Sequence, residues 1–364
     1  MNGDIELLLN FYHLVVKLSW YRFSLFSHSP SRVFEMESPV LGNLKGASTS
    51  VASTPATSDW AVHFRMHQFF TTVYLVLSNL VAIAFALSSA LVIAWGTVIR
   101  QRIAENARHG VMRTAMRNPV WWIGTVSAVI AYGLQLIALG FGTLLIVQPI
   151  LVLSLMFTLP LAAWYQNRRM SSEELFWCSL LTLSVGVILV FGRPTGGITS
   201  PPLERWLPAF ALGFALMAAF GVAASRIRSQ RALLLGVVCG ILYGYVALLS
   251  KAVVDTFTAA GLGELLKSWP LYALIFAAGA GTVLQQYSFH AGPLKHSLPA
   301  MKIIEPLIAF SLGYAVLHEQ FQVRSVLGWL VMALAVATMV IATIVLSQKP
   351  MSTLPRVKVS TQPN

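Results

Sequence analysis

Runs of about twenty apolar residues recur along this chain, and no other feature constrains its fold as much. A helix rising about 1.5 Å per residue needs about twenty residues to cross the roughly 30 Å hydrocarbon core of a bilayer. Nine such runs stand out, near 70–98, 120–139, 141–164, 175–192, 207–225, 232–254, 270–289, 297–317 and 325–347. Inside hydrocarbon every backbone N–H and C=O must be satisfied within the protein, so only helices and closed barrels span it. The runs lack the period-two alternation of barrel strands. Charged residues make up only 10% of the chain, against about 25% in a soluble domain. The sequence therefore predicts an all-α, polytopic membrane protein of about nine transmembrane helices.

In a soluble protein the formal charge of +12 would suggest nucleic acid as a partner. Here the positive-inside rule accounts for it. Counting Lys and Arg on alternate sides gives fourteen on one, including Arg100, Arg168, Arg226, Lys295 and Lys349. The other side, leaving out the N-terminal region, has five: Arg193, Arg205, Lys251, Lys267 and Arg324. This puts the C-terminus in the cytoplasm and residue 69 outside. Cys178 and Cys239 fall inside predicted helices and read as small apolar fillers.

The ends differ from the middle. Residues 1–68 form an N-terminal extension, expected to be partly disordered. Its "LLLNFYHLVVKLSW" is interrupted by Lys17 and suits an amphipathic helix on the membrane surface better than a span. "GASTSVASTPATS" (46–58) is low-complexity sequence with too little apolar surface to order itself. Met66 directly precedes the first span and offers an alternative start. Residues 348–364 read as a loose cytoplasmic tail.

An internal repeat runs through the spans. Leu134-Gln135 recurs as Leu284-Gln285, Arg100 matches Lys251, Trp177 matches Trp329, and Gln148-Pro149 corresponds to Glu305-Pro306. The first copy, 69–225, holds spans 1 to 5 and the second, 226–347, spans 6 to 9. An odd number of crossings inverts the second copy in the membrane, the arrangement that lets transporters open alternately to either side.

At this point the chain resembles a known family. "NPVWWIGTVSAVIAYGLQLIALGFGTLLIVQPILVLSLMFTLPLAAW" (118–164) with "ELFWCSLLTLSVGVILVFG" (174–192) is similar to the first half of an EamA-like transporter of the drug/metabolite transporter superfamily. "AGAGTVLQQYSFHAGPLKHSLPAMKIIEPLIAFSLGYAVLHEQF" (278–321) is similar to the second half, with its Glu-Pro helix, Gly-rich turn and Leu317-His318-Glu319. The resemblance implies a metabolite or drug carrier in the bacterial cytoplasmic membrane. Nine spans, where the usual plan has ten, are similar to the magnesium-transporter-like branch. Residues 69–99 contain no Asp or Glu, so the first-helix carboxylate of the small multidrug exporters has no counterpart.

In "SLPAMKIIEPLIAF" (297–310), Lys302 and Glu305 lie one helical turn apart. Glu305 reads as the one carboxylate well inside a span and Lys302 as the one lysine or arginine; Asp255 reads as a helix-end residue. A charge at mid-membrane costs about 2.5–3.5 kcal/mol on insertion scales, so such residues face the protein interior or water and find a partner. Pro299 and Pro306, like Pro149 in the third span, each free a carbonyl one turn earlier, and all three read as helix breaks. Two roles stay open for Lys302 and Glu305: a neutralising structural pair, or contacts to substrate or ion. Gln135, Gln148, Gln285 and Gln286 are the further candidate binding residues, with Asn79, Tyr287 and His290 beside them. Trp121, Trp122, Trp164 and Trp206 read as interfacial anchors.

The expected function is secondary transport of a small polar or amphipathic metabolite by alternating access through a midplane cavity. The alternatives are a magnesium or other divalent-cation carrier and a non-transporting scaffold. A single intramembrane carboxylate beside a lysine suits magnesium poorly. No span carries the two aspartates of an intramembrane aspartyl protease, and HExxH, GxSxG and GxxxxGK[ST] motifs are missing from the sequence. No catalytic residue, metal site or cofactor is expected. The implied partners are a small-molecule substrate, the lipid bilayer and, as an open option, a second copy of the chain; nucleic acid is not among them.

Overall fold

The computed structural model describes residues 59–106, 119–165, 167, 169–291 and 294–348. The expected surface helix and low-complexity segment, and the tail from 349 on, lie outside these residues. The chain forms two compact units, Met1–Tyr74 and Leu75–Asn364. In the first, residues 59–74 are helical. The second is a helical bundle.

The elements in order are α1 (Asp59–Asn106), α2 (Pro119–Phe141), α3 (Leu144–Val152), α4 (Ser154–Tyr165), α5 (Ser172–Gly192), β1 (Pro194–Thr195), α6 (Leu203–Arg226), α7 (Arg231–Lys267), α8 (Trp269–His290), α9 (Leu294–Ala315), β2 (Gln320–Phe321) and α10 (Val326–Gln348). Among the described residues, seven stretches are long and apolar enough to cross a membrane: Leu75–Ile99, Leu144–Tyr165, Ser172–Gly192, Leu203–Arg226, Arg228–Lys267, Ser297–Ala315 and Val326–Gln348. α2 contributes a shorter apolar stretch, Val126–Phe141. α8 has 22 residues, with Gln285, Gln286 and His290 diluting its last turns.

Local signals set several helix ends. The Thr143 hydroxyl accepts from Ile146 N–H at the start of α3, and Ser171 and Glu174 close a capping box at the start of α5; each cap satisfies a backbone donor that a helix start leaves free. α7 continues well past the expected end at 254. It bends at Gly261, whose φ of 77° lies in the left-handed region that glycine tolerates.

Three of the expected breaks take another form. Pro299 and Pro306 sit inside a continuous α9; each removes one backbone rung, and the remaining turns hold the helix. Pro149 lies inside α3, four residues before the one-residue interruption at Leu153 that separates α3 from α4.

α7 is the centre of the bundle, with α2, α6, α8 and α9 packed around it. Its closest neighbour is α9, which approaches along Gly236, Gly240 and Gly244. A Cβ on Gly236 would come within 2.6 Å of Ser297 O, one on Gly240 within 3.0 Å of Met301 O, and one on Gly244 within 3.2 Å of Glu305 O. Glycines four residues apart leave a groove on one helix face, and the α9 backbone lies in it. Small residues at such spacing are how membrane helices reach van der Waals contact, since lipid tails supply no hydrophobic drive between helices. α1 uses alanine in the same way: Ala82, Ala86, Ala90 and Ala94 are fully buried, and Ser89 Oγ donates to Ala131 O of α2.

At one end of the bundle β1 and β2 pair antiparallel, Pro194 opposite Phe321 and Thr195 opposite Gln320. Gln322 N–H adds a bond to Gly192 O at 2.8 Å. The α5–α6 and α9–α10 connections are thereby tied together. Trp206, expected as an interfacial anchor, is instead buried, stacked on Phe210 and edge-on to Trp269 at 4.9 Å. Trp164 is exposed, and the side chains of Trp121 and Trp122 lie outside the described set.

Candidate functional site

The expected pair is present. Lys302 Nζ and Glu305 Oε2 are 3.8 Å apart on α9, with side chains 38% and 23% exposed. The separation is too long for a hydrogen bond, and both groups stay open to their surroundings. Across from them, Tyr243 of α7 donates to Gln285 Oε1 of α8 at 3.1 Å, and Gln285 Nε2 contacts Met301 Sδ at 3.5 Å. Glu305 acts electrostatically on the Tyr243 hydroxyl and the Cys239 thiol. The fold thus gathers Gln285, Tyr243, Lys302 and Glu305 where α7, α8 and α9 meet.

The other glutamines are placed differently. Gln148 is buried on α3, and its amide nitrogen has no hydrogen-bond partner. Gln135 is half-buried on α2, and Gln286 is exposed. Gln285 directs its bonds to Tyr243 and Met301. The side chain of His290 lies outside the described set.

A second charged cluster escaped the sequence reading. Lys251 and Asp255 belong to the body of α7, where the sequence suggested the end of the sixth span and a helix end. Lys302 and Glu305 are therefore not the only charges within an apolar helix. Lys251 Nζ donates to Asp255 Oδ1 at 2.8 Å and to Leu139 O, near the end of α2, at 2.8 Å. Next to them Tyr132 of α2 and Ser250 of α7 share a hydrogen bond of 2.7 Å. The available signal was the Lys-x-x-x-Asp spacing, which puts opposite charges on one helix face.

Glu319 completes this cluster from the α9–β2 connection, beyond the end of the span. His318, with φ 56°, turns the chain, and Glu319 N–H donates to Gly313 O at 3.0 Å. The carboxylate then accepts from Leu144 N–H at 3.0 Å and Leu145 N–H at 3.1 Å. These are two of the free donors at the start of α3, where the helix dipole also favours negative charge. Burial nevertheless dominates and raises the Glu319 carboxyl from 4.5 to about 7; Lys251 and the two amides pull it down, and Asp255 pushes it up.

Long apolar helices, packed through small residues and carrying charged pairs inside them, define an integral membrane protein of the polytopic α-helical class. The chain is 50% identical over 285 residues to an uncharacterized protein of Corynebacterium glutamicum, a match that takes in 76% of this chain and 98% of that protein. It belongs to the same family as that protein. No family model and no solved structure matches the chain.

Proposed function

We propose that this protein is a nine-span secondary transporter of the drug/metabolite type, moving a small polar or amphipathic solute by alternating access. The observation that carries the reading is the Lys302–Glu305 pair: opposite charges inside an apolar helix, 3.8 Å apart and only partly buried. A structural ion pair in a membrane gains by being short and sealed, as Lys251–Asp255 is. One left loose and accessible beside Tyr243 and Gln285 suits a charged or zwitterionic solute. Support for inverted repeats comes from the helix partners: α3 packs on α9 and α5 on α10. The internal repeat makes these helices equivalent, and equivalent helices meet where a two-fold axis passes between halves. The lysine- and arginine-rich side, including the C-terminus, is assigned to the cytoplasm.

The test is thermal stabilisation of the purified protein across a library of metabolites and cations, repeated with Glu305→Gln. A solute that stabilises the wild type but not a normally folded Glu305→Gln variant supports the reading and identifies the substrate class. A scaffold would respond to no solute, and the variant would change stability alone.

A further inference from the structure

α8 and α9 both pack along α7 but only lightly on each other, which leaves a groove with α7 as its floor. Cys239 and Tyr243 belong to the floor, Gln285 to the α8 side, and Lys302 and Glu305 to the α9 side. Both charges act electrostatically on the Cys239 thiol, and Glu305 acts on the Tyr243 hydroxyl as well. The pair therefore lies over this groove.

The groove's polar groups have bonding capacity to spare. Lys302 Nζ and Glu305 Oε2 are 3.8 Å apart, and neither makes a hydrogen bond among the described residues. The Tyr243 hydroxyl donates to Gln285 Oε1 at 3.1 Å, which fixes the amide with its NH2 group toward α9. That group meets only the Met301 thioether, at 3.5 Å, and a thioether is a weak acceptor. Polar groups withdrawn from water gain from partners, and charged ones gain most.

The kind of molecule that satisfies an ammonium and a carboxylate side by side follows from Coulomb's law. An organic anion would pair with Lys302 and set a like charge against Glu305. An organic cation or a divalent metal ion would pair with Glu305 and be repelled by Lys302. A zwitterion meets both, provided its two charges are held as close together as the protein's own. We propose that the solute is a compact zwitterion with its ammonium and carboxylate on the same or adjacent carbons, as in an amino acid. Its carboxylate docks on Lys302 and the Gln285 amide, and its ammonium docks on Glu305. The inference rests on the transporter reading and gives that reading a substrate class.

The experiment is thermal unfolding of the full-length protein in lipid nanodiscs with the common α-amino acids, each beside its decarboxylated amine and its deaminated acid. Affinities come from the concentration dependence of the melting temperature. At least one amino acid is expected to stabilise the protein, with its amine and its acid binding at least roughly tenfold more weakly. Lys302→Gln should weaken the zwitterion and lose discrimination against the amine. Glu305→Gln should weaken it and lose discrimination against the acid. A purely structural pair would move stability and leave this selectivity alone. An amine or acid that binds as tightly as its zwitterion overturns the proposal, as do folded variants that keep the wild-type preference. A solute of another charge type that depends on Glu305 also overturns it, and leaves transport standing with a different substrate. If no solute of any kind stabilises the wild type, the transporter reading falls together with this one.

Discussion

Lys251 and Asp255, one turn apart on α7, form a 2.8 Å ion pair with side chains only 8% and 2% exposed. The lysine's second hydrogen bond goes to the backbone of α2. Removing one partner of such a pair leaves a bare charge in a low-dielectric interior. Replacing both together removes that bare charge, and Glu319 keeps its bonds to Leu144 and Leu145 N–H.

Lys251→Met is accordingly expected to destabilise the protein by about 3–5 kcal/mol. The double change Lys251→Met with Asp255→Leu should recover much of that loss. Thermal unfolding of the two single variants and the double one forms a cycle, and additive losses would mean the pair is not coupled.

Glu319 predicts how overall stability varies with pH. Its carboxyl is raised in the folded protein, from 4.5 to about 7, so the folded state holds the proton more tightly than the unfolded chain. Its contribution is fully present below about 4.5 and is lost as pH rises to about 7, a fall of a few kcal/mol on the scale of about 1.4 kcal/mol per pKa unit. Melting temperatures across that window should show the fall in the wild type and lack it in Glu319→Gln.

The glycine groove separates position from composition. At Gly240 a Cβ would lie 2.8 Å from Ile304 Cβ as well as 3.0 Å from Met301 O, so Gly240→Ala must push α9 away and is expected to cost about 1–3 kcal/mol. At Gly279, on the exposed face of α8, nothing lies within 4 Å. There Gly→Ala should be neutral or stabilising by up to about 1 kcal/mol, because alanine restricts the unfolded chain. Comparing the two melting temperatures checks the closeness of the α7–α9 contact.

Glu305→Gln is expected to change stability by less than about 1 kcal/mol, because a long, partly open pair contributes little. Its effect should appear in solute binding. A large loss of stability without any solute would identify Lys302–Glu305 as a structural pair and leave the substrate to be sought elsewhere.

The class of fold was legible from apolar run length alone, because a chain in hydrocarbon must satisfy its own backbone and a helix does so locally. Lys302 and Glu305 were legible for a related reason: two charges in an apolar run stand out, and three residues of spacing put them on one face. Lys251 and Asp255 were just as close in sequence, yet they read as charges at the end of a span. Their burial depends on α7 running on past 254 and on α2 covering them, with Leu139 lying 112 residues away in the chain. Glu319 showed only as the end of a Leu-x-Glu pattern; its partners at Leu144 and Leu145 are 175 and 174 residues distant. Local periodicity determined which segments are helices and which faces are apolar. Which charges those helices enclose was decided by tertiary packing, because the dielectric around a side chain depends on the neighbours that exclude water from it.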